Sequence, residues 1–169
     1  SAAFFGLFPK KNPSVTMKFL IACSSFVLSL CFTLISFAKQ SGETCATATV
    51  ISSLPFVDIG STVGAADDYY ASCPDYGNNG GAPEVVYEYT NGPSQVYINI
   101  NLCEDITDYD SQLYVYESNC TGSPVGCMED GCQSPDFSAP YNSRITAQLL
   151  EPNTTYYIVV DGYDAGASG

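Results

Sequence analysis

The chain of 169 residues carries 18 acidic side chains, only 5 basic ones and no histidine, for a net charge of −13 at neutral pH. That balance repels nucleic acid and anionic membrane surfaces and suits cations. Without histidine, Ser-His-Asp and Cys-His catalysis cannot be assembled within this chain, and no phosphate-binding or dinucleotide-binding glycine motif occurs.

Residues 1–16 (SAAFFGLFPKKNPSVT) precede Met17, and we read them as upstream sequence outside the mature protein, without structure of their own. Residues 17–38 have the form of a secretory signal peptide. Lys18 follows Met17, Phe19 to Phe37 is apolar, and the small residues Ser36 and Ala38 predict cleavage after Ala38. The apolar run approaches the roughly 20 residues of a membrane span, so a retained anchor is the rival reading. "LIAC" (Leu20 to Cys23) resembles a lipoprotein box but follows Met17 too closely to serve as one. The mature chain is then 39–169, the length of one domain, with every acid in it set against only Lys39 and Arg144. The expected location is secreted, extracellular or cell-surface, with no stable membrane span after cleavage.

Cys23 and Cys31 leave with the signal peptide, and Cys45, Cys73, Cys103, Cys120, Cys127 and Cys132 remain. An even set in an exported domain implies three disulfides. Six cysteines allow fifteen connectivities. The spacing favours Cys120 with Cys127 across the turn "CTGSPVGC", and then Cys103 with Cys132 and Cys45 with Cys73. A zinc site is the alternative, but histidine is absent and the spacings are not paired CxxC motifs.

No segment of the mature chain has a helical period. Residues 84–90 (EVVYEYT), 94–101 (SQVYININ), 111–117 (SQLYVYE), 143–150 (SRITAQLL) and 154–163 (TTYYIVVDGY) are rich in β-branched and aromatic residues and predict strands. Val96, Ile98 and Ile100 alternate with Tyr97, Asn99 and Asn101, and Ile145, Ala147 and Leu149 repeat the pattern. Turn residues fill the gaps at 91–93, 121–124 and 151–153, and 73–83 is a glycine-rich loop. Such spacing predicts an all-β, antiparallel, disulfide-braced β-sandwich. The chain stops at Gly169 in a turn just after a strong strand, which predicts a fragment lacking at least its last strand.

"GETCATATVISSLPF", "APEVVYEYT", "INLCEDITDYDSQLYVYESNC", "GCMEDGC" and "TTYYIVVDGY" stand in an order that resembles the bacterial pre-peptidase C-terminal (PPC) domain, in its cysteine-rich secreted variant. The resemblance spans nearly all of 42–163. It implies a jelly-roll sandwich serving as a non-catalytic accessory module, in a family where some members bind calcium and some bind matrix polymers. This chain departs from the pattern at Glu129-Asp130, where the family's turn has Asp-Asp, and in the absent closing strand.

The acids of 103–120 invite an EF-hand reading, which fails: starting from Asp108, position six is Leu113 and position twelve is Asn119. A calcium site made by converging sandwich loops is different. If 113–120 pairs antiparallel with 124–130, Asp110 comes to lie near Asp130. The candidate metal ligands are therefore Asp110, Asp130, Glu129, Asp108 and Asp105, with Asp67-Asp68 a weaker second candidate and a solvated acidic turn the alternative. A glycosidase carboxylate pair is disfavoured in a small sandwich with no tryptophan. Tyr114/Tyr116 and Tyr87/Tyr89 are i, i+2 pairs that each share a strand face and could form an exposed binding row; cross-strand packing is the rival. The expectation is a non-enzymatic secreted module for binding, adhesion or accessory roles, with calcium as its one candidate cofactor. Its partner would be an extracellular polymer, a cell-surface component or a neighbouring subunit. The alternatives are a subunit of an extracellular fibre and the appendage of a secreted peptidase.

Overall fold

The computed structural model describes residues 2–7, 42–71, 73, 80–132 and 141–169; the segment read as a signal peptide, 17–38, lies outside the described residues. Among the described residues the strands are β1 (Ala2–Leu7), β2 (Thr49–Ile51), β3 (Phe56–Ile59), β4 (Val85–Thr90), β5 (Val96–Asn101), β6 (Ser111–Glu117), β7 (Gly126–Met128), β8 (Arg144–Leu150) and β9 (Thr155–Gly162), with a single 3-10 turn at Cys45–Thr47. All five segments expected as strands are strands, within two residues at each end. No helix among the described residues is long and apolar enough to cross a membrane.

The strands form two sheets, in the orders β3-β1-β5-β8 and β2-β4-β9-β6-β7. Their facing sides make the core. Ile98 and Ile100 of β5 and Ile145 and Leu150 of β8 meet Val85 and Tyr87 of β4, Leu113 and Val115 of β6, and Ile158 and Val160 of β9. The residues alternate along each strand because successive side chains leave opposite faces. Each buried Leu or Ile contributes about 1.5–3 kcal/mol relative to exposure. The expected Ile145/Ala147/Leu149 face is corrected at Ala147, which has a positive φ of 55° and is exposed. The β5–β8 register shifts between Ile98 and Ile100, and Asn99 Oδ1 accepts the Ala147 amide at 2.9 Å. The irregularity shifts the alternation by one residue, so that Leu150 turns inward and Leu149 is only half-buried.

The five-stranded sheet is covered on its other face as well. Val86, Tyr114, Tyr116 and Val159 pack there with Ala71, Cys73 and Cys120. A strap through Asp68 and Tyr69 lies over them, held by two backbone N–H groups that donate to Glu84 Oε1 at 2.6 and 2.9 Å. This double cover is why β6 is buried from Ser111 to Tyr116.

Three disulfides are present: Cys45–Cys120, Cys73–Cys127 and Cys103–Cys132. Only the last matches the spacing argument. In the β6–β7 hairpin Cys127 stands opposite Tyr114, while Cys120 lies beyond the end of β6, so the hairpin does not bring the two together. Instead Cys120 reaches the N-terminal turn at Cys45 and Cys127 reaches the strap at Cys73. Three disulfides fit an oxidising, extracellular type of environment.

Residues 2–7, read from the sequence as upstream chain without structure, form β1, which runs parallel to both β3 and β5. A ladder of this kind asks only for extended backbone, a property that composition does not reveal.

Candidate cation site

The site grows out of the β6–β7 hairpin. Leu113 pairs with Met128, Tyr114 with Cys127 and Val115 with Gly126, so the residue before β6 and the two after β7 lie at the same end. The connecting turn is eased by positive φ at Ser118 (65°) and Gly122 (84°). Asp110, Glu129 and Asp130 thereby come together, with one carboxylate oxygen of each within 4.8 Å of the others. This is the juxtaposition of Asp110 and Asp130 that the register implies, with Glu129 added.

Backbone contacts fix the two segments. The Tyr163 amide donates to the Asp110 carbonyl at 3.1 Å, and Cys132 N–H to the Asn142 carbonyl at 2.9 Å. Ser143 Oγ lies against the carbonyls of Ser111 and Glu129, and the Cys103–Cys132 disulfide closes two residues beyond Asp130. The Arg144 guanidinium donates to the Gly131 carbonyl at 3.3 Å.

Glu129 is only 6% exposed. Its Oε2, like Asp110 Oδ1, is buried with no hydrogen-bond partner among the described residues. Burial, then Asp130 and Asp110, push the Glu129 carboxyl up to about 7. Burial, then Asp130 and Asp164, push Asp110 up to about 6. Burial also raises Asp130. Three carboxylates that resist ionising together, with orphaned oxygens between them, are what a hard divalent cation would relieve: calcium takes six to eight oxygens, and carboxylates suit it better than softer metals. A cleft of about 380 Å³, lined by Asp108, Tyr109, Asp110, Tyr163, Asp164, Gly166, Ala167 and Ser168, adjoins the cluster at Asp110.

The other expected ligands fall outside this group. Asp105 and Asp108 are exposed; Asp105 belongs to the turn closed by Thr107 N–H on the Glu104 carbonyl at 2.9 Å, and Asp108 reaches only the cleft. Asp164, which the sequence reading passed over, is near enough to raise Asp110. Asp67 and Asp68 are exposed, and the chemistry beneath them belongs to Glu84 and Asp161, buried at 0% and 2% exposure. The sequence signal for Asp161 is an acid inside the apolar run of β9.

The tyrosine row is corrected. Tyr114, Tyr116 and Tyr87 are buried and Tyr89 is half-buried. Tyr87 packs edge-on against Phe56 at 6.0 Å between the sheets, and Tyr114 and Tyr116 sit under the strap with ring centroids 6.4 Å apart. The pairing by face is as expected; the strap, contributed from far away in sequence, hides one pair and the opposite sheet the other. No protein-family model, no curated protein and no solved structure matches the chain.

Proposed function

We propose that this chain is a non-catalytic, exported β-sandwich module for binding or adhesion, cross-linked by its disulfides and stiffened by a calcium ion held by Asp110, Glu129 and Asp130. The observation that carries the reading is the convergence of these three carboxylates around a buried Glu129 whose Oε2 has no partner. The resemblance to the pre-peptidase C-terminal domain supports both the accessory role and a jelly-roll arrangement of the strands. Its partner would be an extracellular polymer, a cell-surface component or a neighbouring subunit, and the acidic surface argues against nucleic acid.

Calcium bound only to the folded chain stabilises it by about 2.7 kcal/mol at a hundredfold excess over Kd. For a chain of this size that raises the thermal midpoint by roughly 5–10 °C. Addition of millimolar calcium to chelator-treated protein is expected to produce this rise, and the double substitution Asp110→Asn and Asp130→Asn to remove it while leaving the fold intact by circular dichroism. A midpoint indifferent to calcium and chelator would sink the cation reading.

A further inference from the structure

We propose that the gap between β3 and β5 is a peptide-binding site, which takes one extended, uncharged strand by backbone pairing on both sides, and that Ala2–Leu7 is its replaceable occupant. The site is separate from the carboxylate cluster and does not depend on a cation.

The walls have anchors besides the occupant. β3 lies at the sheet edge with β1 as its neighbour, and side-chain and backbone contacts also tie it to the core. Tyr87 Oη donates to Asp58 Oδ2 at 3.1 Å, Phe56 packs on the Tyr87 ring, and Leu54 and Phe56 rest on the core. Just past β3, Thr62 N–H donates to the Gly169 carbonyl at 2.8 Å, and Gly169 N–H donates to Thr62 Oγ1 at 3.3 Å. The other wall, β5, is tied to β8 along its outer edge. Two strands flanking a third lie about 9.5 Å apart, so the slot admits one strand, which pairs on each side with the backbone N–H and C=O groups that face β1.

The register shows what fits. Phe4 stands level with Phe56 on one side and Ile100 on the other, and Gly6 with Asp58. Apolar residues at alternate positions suit the core side, and Asp58 disfavours an acid at its level. Capture of an extended segment by backbone pairing at an open sheet edge is an established mode of peptide recognition.

The occupant is weakly committed. β1 runs parallel to both neighbours, and parallel ladders are slightly less stable per residue than antiparallel ones. β5 already pairs antiparallel with β8. A strand entering opposite to β1 would make this sheet antiparallel at β3 and β5 as well. Residues 8–41 separate β1 from Gly42, and cleavage after Ala38 would release the occupant altogether.

The test uses the full chain. Proline at two β1 positions, Phe4→Pro with Gly6→Pro, removes N–H groups from the ladder. A labelled peptide of residues 1–8 with a lysine tail for solubility is then added. The variant is expected to bind it one to one, at least tenfold more tightly than the wild type whose slot is filled, and to regain its thermal midpoint. A peptide N-methylated at alternate amides is expected to bind at least tenfold more weakly, because it keeps the apolar surface but loses the ladder. Equal binding of both peptides, or none by a folded variant, would overturn the proposal. Should the variant not fold, hydrogen exchange of the wild type decides: Phe56–Ile59 and Val96–Asn101 are expected to be protected together, and β3 amides exchanging as freely as an open edge would refute a filled slot.

Discussion

Glu84 shows how a single buried carboxyl can set the pH response. Its Oε1 accepts the Asp68 and Tyr69 amides, whereas Oε2 has no hydrogen-bond partner among the described residues. Burial, and then the charges of Asp161 and Asp67, raise it from 4.5 to about 8 against the pull of those two amide bonds. Asp161 is raised to about 7, chiefly by burial, with Asp67 adding to it and the Gly162 amide and Tyr114 hydroxyl opposing. Tyr69 and Tyr116 complete the titratable surroundings. The folded chain therefore keeps a proton on Glu84 that the unfolded chain has lost between about pH 4.5 and 8. The stabilisation is whole below the lower value and is lost as pH rises through the upper one. Glu84→Gln, which keeps the Oε1 acceptor, is expected to match the wild-type thermal midpoint near pH 4.5 and to exceed it near pH 8.5. A variant that trails the wild type at both pH values would show that Glu84 folds in its charged form. Sequence reasoning reached Asp110 and Asp130 because adjacent strands transmit register directly. It passed over Glu84 because its burial comes from a strap that local alternation does not encode.

At the scale of elements, strand existence was legible and strand neighbourhood was not. The alternation of "SQVYININ" is local, and β5 follows it closely. Which strand lies beside which is decided by the core as a whole, so the order β2-β4-β9-β6-β7 and two of the three disulfides escaped the spacing argument. The corrected pairing has a consequence for the candidate site. Cys103–Cys132 spans 29 residues and anchors the segment that carries Glu129 and Asp130, whereas Cys45–Cys120 spans 75 and joins the N-terminal turn to the far end of the hairpin. In chain-entropy terms each contributes roughly 3.5–4.5 kcal/mol, so stability alone scarcely separates them. Calcium affinity should. Replacing Cys103 and Cys132 by serine is expected to weaken calcium binding at least tenfold, and the same change at Cys45 and Cys120 to leave it within about twofold. Peptide mapping of the unreduced protein checks the connectivity itself, and Cys120 found joined to Cys127 would refute the arrangement.

For the whole molecule, the question is how a chain with a net charge of −13 holds so many carboxylates close together. General self-repulsion and the local repulsion within Asp110, Glu129 and Asp130 respond to different agents. Repulsion spread over the surface is screened by any salt: the Debye length falls from about 10 Å at 0.1 M to about 3 Å at 1 M. The cluster around the buried Glu129 is screened less, because mobile salt acts on it only from the solvent side, and its repulsion is relieved by a cation that gives up water for carboxylate oxygens. Calcium does so readily, whereas magnesium demands stricter geometry and keeps much of its water. Sodium chloride is therefore expected to raise the thermal midpoint by a few degrees and to level off by about 0.5 M. Millimolar calcium added on top of that salt is expected to raise it further, and magnesium at equal ionic strength to do so by less than half as much. If saturating salt erases the calcium effect, or magnesium equals calcium, the carboxylates act as part of a diffuse acidic surface, and the three-residue cluster is not a binding site.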